Sequence, residues 1–154
     1  MKTQVKLFPD WKQAVDDAIS EFTYGGFISK QWLYDHLNMH PPKQTNFEEY
    51  EKFTIAFMSA MANFKGLLLE EHKMLLKNVR GKGYVIVIPK HHTGIAFNTM
   101  KSGLVKHIKK GYTAMTNINY NLLTTEERQQ NSDKLATLSS LNSMMRRRID
   151  LGDK

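Results

Sequence analysis

Residues 74–88 limit the fold more than any other stretch. Met74–Val79 and Tyr84–Ile88 read as two strands, with Arg80-Gly81-Lys82-Gly83 as the turn between them. The β-branched run Val85-Ile86-Val87-Ile88 suits a pleated, half-buried surface. Pro89 is the expected end of the second strand, because it offers no N–H to a ladder. Gly81 and Gly83 permit positive φ and a close approach of backbone to a phosphate or a groove. Tyr84 is expected to anchor the second strand against the core.

Helical patterns flank this hairpin. Asp10 is the expected cap of a first helix reaching about Phe22, with Trp11, Val15, Ala18, Ile19 and Phe22 on one face. Gly25-Gly26 breaks the pattern, and Phe27-Ile28 reads as a short strand. Ser29 is the expected cap of a second helix, Lys30 to about Asn38, which buries Trp32, Leu33 and Leu37 and stops at Pro41-Pro42. Asn46 with Glu49 has the form of a capping box opening a long third helix, Phe47 to about Glu71. Its stripe is Tyr50, Phe53, Phe57, Met61, Phe64 and Leu68, and Gly66 lies inside it or ends it. Thr93 is the expected start of a fourth helix with the stripe Ala96, Phe97, Met100, Leu104, Ile108, Tyr112 and Met115. Thr124 to Glu127 is a second capping-box pattern, opening a fifth helix with Leu135, Leu138, Leu141 and Met145 on one face. Two long amphipathic helices with a short link predict an antiparallel hairpin, packed on the first domain or on a second copy of the chain. The expected division is residues 1–92 and 93–154, with a frayed tail after Arg146-Arg147-Arg148.

Charge is placed unevenly. His72 to Thr125 contains no Asp or Glu, yet holds Lys73, Lys77, Arg80, Lys82, Lys90, Lys101, Lys106, Lys109 and Lys110. Nine of the chain's 22 basic and none of its 15 acidic residues fall there, so the remainder, 13 basic against 15 acidic, carries −2. A one-sign block of this kind is the electrostatic footprint expected for phosphate binding, with a solvated surface or a patch for an acidic protein as the alternatives. The chain has no cysteine, which excludes disulfides and thiolate chemistry and fits a reducing, cytoplasmic setting. It also has no apolar run approaching the ~18–20 residues of a membrane span, so no membrane role is expected.

The order helix, short strand, helix, long helix, hairpin over about residues 10–89 resembles the winged helix-turn-helix family. The segment Asn78-Val79-Arg80-Gly81-Lys82-Gly83-Tyr84-Val85-Ile86-Val87 is similar to the wing of response-regulator DNA-binding domains of the OmpR/PhoB type. The resemblance covers about half the chain and implies a mainly α fold with a small β wing, a winged helix-turn-helix followed by a C-terminal helical hairpin. It further implies a DNA-binding protein, a transcriptional regulator, in which Lys77, Arg80, Gly81, Lys82 and Lys90 meet phosphates or the minor groove of double-stranded DNA. The third helix would then be the recognition helix, offering Ser59 and Asn63 to base edges with Lys65 beyond. Its opening, Phe47-Glu48-Glu49-Tyr50-Glu51, places three carboxylates where phosphates would be repelled, although they equally suit the helix dipole. Binding led by the wing is therefore better supported than base-specific reading.

Lys106, His107, Lys109 and Lys110 fit phosphate contact or, more simply, the wet face of the fourth helix. Adjacent His91-His92, with His72 and His107, does not make a metal site, since no acidic residue lies nearby in sequence. Gly-x-Ser-x-Gly, Walker and His-Glu-x-x-His patterns are missing, so no enzyme, catalytic residue or cofactor is expected. A homodimer through the C-terminal helices would suit palindromic half-sites. The alternative is a winged-helix adaptor or inhibitor docking on an acidic protein.

Overall fold

The computed structural model describes residues 8–43 and 46–150; of the tail expected to fray after Arg148, Ile149 and Asp150 are helical and 151–154 fall outside the described residues. The fold is mainly helical with one three-stranded antiparallel sheet. The chain divides into two compact units, Met1–Thr93 and Gly94–Lys154.

In the first unit, α1 (Asp10–Glu21) begins one residue earlier than a capping role for Asp10 requires. Pro9 takes the cap position, its carbonyl accepting from Lys12 N at 3.0 Å, and Asp10 becomes a first-turn carboxylate favoured by the helix dipole. Ala14, Val15 and Ala18 are buried, the i, i+1, i+4 face of an amphipathic helix. The glycine turn that follows is stitched to the sheet, with Gly25 N donating to Ile86 O (2.8 Å) and Ile86 N to Gly26 O (2.9 Å). β1 (Phe27–Ser29) leads into α2 (Lys30–His36), which Ser29 caps by accepting from Trp32 N at 3.0 Å. α2 ends two residues before the expected Asn38, and Asn38 rather than Pro41-Pro42 ends it. Asn38 has φ +52°, while Met39 N donates to Tyr34 O and Asn38 N to Asp35 O, the paired bonds of a Schellman terminus.

α3 (Phe47–Glu70) runs through Gly66 without stopping. Asn46 caps it through Glu48 N (3.3 Å) in place of the reciprocal box with Glu49. Its stripe divides into two parts. Ala60, Met61, Phe64 and Leu68 are buried with Leu33, Leu37, Ile28 and the α1 face, forming the core. Tyr50, expected on the core side, is 49% exposed. Phe53 and Phe57 instead join Tyr34 in an aromatic cluster, centroids 5.2–6.1 Å apart, at the end of α2.

β2 (Leu76–Val79) and β3 (Gly83–Ile86) are shorter than the expected strands, and the sheet order is β1-β3-β2. Ile28 and Asn78 both pair with Tyr84, and Leu76 pairs with Ile86, so the two-residue alternation puts Ile28, Tyr84, Ile86 and Leu76 on the core side. Lys77, Val85 and Phe27 share the other face.

β3 stops at Ile86, so Pro89 does not end the strand as expected but opens α4 (Pro89–Thr116), which starts four residues before the expected Thr93. A proline lacks the N–H that the first helical turn leaves unused, which makes this position favourable. In the second unit the rest of α4 is followed by a short 3₁₀ turn, Tyr120–Leu122, and α5 (Thr125–Asp150). The capping box of α5 is reciprocal: Thr124 N donates to Glu127 Oε2 (2.8 Å) and Glu127 N to Thr124 Oγ1 (3.2 Å). Asn131 of α5 donates to Met115 O (3.2 Å), and a Cβ on Gly111 would lie 3.8 Å from Leu138. Rising residues on α5 meet falling residues on α4, so the two form an antiparallel hairpin. No residue of α4 is buried. Among the described residues no helix is long and apolar enough to cross a membrane.

Candidate nucleic-acid interface

The β2–β3 turn is closed by Lys82 N donating to Val79 O (3.0 Å), with Gly81 at φ +76° in its third position, the value a type II turn requires. Lys82 O in turn accepts from Lys30 N (3.0 Å), which fixes the base of the turn to the start of α2. The backbone is thus held while the side chains of Arg80 and Lys82 are exposed. Apart from its own chain neighbours, no heavy atom lies within 4 Å of a Cβ built on Gly81, so the tip is open to an approaching surface.

Gly83 serves another purpose than the one expected of it. It is buried, has φ +152°, and a Cβ there would strike Ile28 O and lie 3.0 Å from Ser29 Cα. The close approach it permits is that of β1 and not of a phosphate.

Of the other residues expected in the site, Lys77 is exposed on the face of the sheet away from the core. Lys65 places its Nζ over the Tyr84 ring, 4.2 Å from the centroid, a cation–π contact that ties α3 to β3. Tyr84 itself is half-buried and packs on the core. Lys90 is exposed in the first turn of α4, which has no acidic residue, so its charge adds to the positive end of that helix. Among the described residues, Lys77, Arg80, Lys82 and Lys90 make no ion pair.

Ser59 and Asn63 are exposed. Lys65 is turned roughly 120° around α3 from Ser59 and roughly 160° from Asn63, so the three do not share a face. Asn63 borders a shallow groove of about 350 Å³ with Trp11, Ala62, Gly66, Leu67 and Glu70. Towards its N-terminus α3 exposes Phe47 (80%), Ile55 (63%) and Met58 (65%), and Glu48 pairs with Lys52 at 2.7 Å. This is an apolar and acidic surface, unlike the basic one at the turn.

Sequence inspection missed a polar clasp between α1 and α2. Trp32 Nε1 donates to Glu21 Oε2 (2.7 Å), and His36 stacks on the Trp32 ring with centroids 3.8 Å apart. His36 Nδ1 donates to Trp32 O (2.9 Å), leaving Nε2 3.6 Å from Glu21 and 4.0 Å from Asp17. Trp32 and His36 are one turn apart on α2, but Glu21 and Asp17 come from α1, and no local spacing announces that part of the contact. Among the described residues, no group of three or more His, Cys, Asp or Glu side chains is placed to hold a metal ion.

No protein-family model, no curated protein and no solved structure matches this chain. What the surface does must therefore be inferred from its own geometry and charge.

Proposed function

We propose that the protein binds double-stranded DNA through the β2–β3 turn, as a winged-helix transcriptional regulator. The observation that carries this reading is the turn itself: a backbone-fixed tip with Arg80 and Lys82 exposed, Gly81 open, and no ion pair to either cation among the described residues. Lys77 and Lys90 add charge of the same sign. The element order α1-β1-α2-α3-β2-β3 and the sheet order β1-β3-β2 support the winged-helix description. Phosphate contact through a narrow basic tip fixes position on a duplex without reading sequence. Because Ser59 and Asn63 do not share a face of α3 with Lys65, and that helix opens on an acidic surface, base-specific recognition by α3 is a minor part of this reading.

Dimerisation through the second unit completes the proposal. Phe97, Met100 and Leu104 of α4 face Leu141, Met144 and Met145 of α5 across an apolar groove of about 430 Å³. Two helices cannot enclose a core, whereas two hairpins form a four-helix bundle.

A second reading is a protein adaptor, and the acidic, apolar first half of α3 favours it. A gel shift with random duplex at moderate salt separates the two. DNA binding predicts a shift that R80A/K82A weakens for every sequence alike; an adaptor gives no shift.

A further inference from the structure

The two flanks of the α4–α5 seam differ. One is the apolar groove described above. The other is a groove of about 290 Å³ in which Lys109 and Tyr112 of α4 meet Ser139, Asn142 and Arg146 of α5, with Val105, Ile108 and Leu138 as its apolar lining. No carboxylate lines it. Lys109 is shared with a neighbouring surface formed with Lys106 and Lys110, so the cations continue around α4 at i, i+3 and i+4. Like charges at i, i+4 repel one another, yet among the described residues none of these lysines, nor Arg146, makes an ion pair.

The lysines by themselves fit the wet face of a helix. Arg146 changes that reading, because it comes from the other helix, 37 positions further along the chain than Lys109, to the same groove. Antiparallel pairing brings the basic end of α5 to the basic stretch of α4. The groove also offers the Asn142 amide and the Ser139 hydroxyl as hydrogen-bond donors, and Tyr112, 53% exposed, as a flat apolar wall.

We propose that this flank is a second phosphodiester-binding surface, in which Lys109 and Arg146 grip the backbone of duplex DNA and Lys106 and Lys110 add charge beside them. Guanidinium and ammonium groups with neutral donors between them match phosphate oxygens, and such contacts are independent of sequence. A lipid surface fits less well, because interfacial helices insert several large apolar side chains and the exposed apolar residues of this flank are Val105 and Tyr112. The proposal rests on the reading of the protein as a DNA binder, but not on the β2–β3 turn.

The test titrates the full chain with a labelled random duplex over a range of salt, comparing wild type, R80A/K82A, K109A/R146A and the charge-conserving K109R/R146K. K109A/R146A is expected to lose roughly tenfold or more in affinity at low salt and to flatten the slope of log K against log salt by about 2, while K109R/R146K keeps most of both. Unchanged helicity and melting temperature exclude misfolding, since both positions are exposed. If R80A/K82A loses affinity and K109A/R146A matches wild type, this surface is overturned and the turn reading stands. The reverse pattern supports this surface and removes the turn. Wild type that binds no duplex overturns both. Binding to phosphatidylserine vesicles that K109A/R146A abolishes, with duplex affinity unchanged, overturns the assignment to nucleic acid.

Discussion

A methyl group at position 83 would meet the Ile28 carbonyl and the Ser29 backbone, whereas one at position 81 would meet nothing within 4 Å apart from its own chain neighbours. The two glycines of the turn therefore predict opposite phenotypes. Gly83→Ala is expected to destabilise the first unit by about 3 kcal/mol, from strained φ and a forced opening of the β1–β3 pair. Gly81→Ala carries only the left-handed penalty, about 1 kcal/mol, and should leave the turn able to bind. Urea unfolding of both variants checks this, and equal losses would contradict it. Gly66 is a third case. It sits inside α3 with open space around a built Cβ, so Gly66→Ala should stabilise by roughly 0.5–1 kcal/mol, read as a rise in melting temperature.

At the scale of elements, caps are where local sequence speaks most directly. The reciprocal box of Thr124 and Glu127 is expected to contribute about 1 kcal/mol, so Thr124→Ala should lower the thermal stability of the second unit correspondingly. Ser29 and the box at Thr124 were legible because a cap needs only residues within one turn of each other. Other ends were not. Pro89 suits the end of a strand and the first turn of a helix for the same reason, its missing N–H, and only the tertiary structure decides between them. Pro41-Pro42 drew attention from Asn38, whose αL conformation ends α2 first. The stripe on α3 was visible as a period, but a period does not say how far a partner extends. Only Ala60, Met61, Phe64 and Leu68 of α3 are buried, and Phe47 and Tyr50 stay exposed. In the candidate site the turn was legible because its residues are contiguous. The meeting of Arg146 with Lys109 was not, since it depends on the register of two antiparallel helices.

For the whole molecule, charge and apolar surface suggest separate roles. Phe97 (47%), Met100 (52%), Leu104 (40%), Leu141 (50%) and Met144 (58%) leave the second unit with an apolar flank that a second copy would cover. Wild type should sediment with the mass of two chains and Leu104→Glu with the mass of one, helicity unchanged; a monomeric wild type would contradict the dimer. The basic residues are expected to act through counterion release, a property of the intact protein in solution. The most direct test is therefore the salt dependence of duplex binding by the full chain. If Lys77, Arg80 and Lys82 each neutralise a phosphate, log K should fall against log salt with a slope of at least about −2.7, and R80A/K82A should make it shallower by about 2. A slope near zero, or one that the double variant leaves unchanged, would contradict DNA binding through this turn.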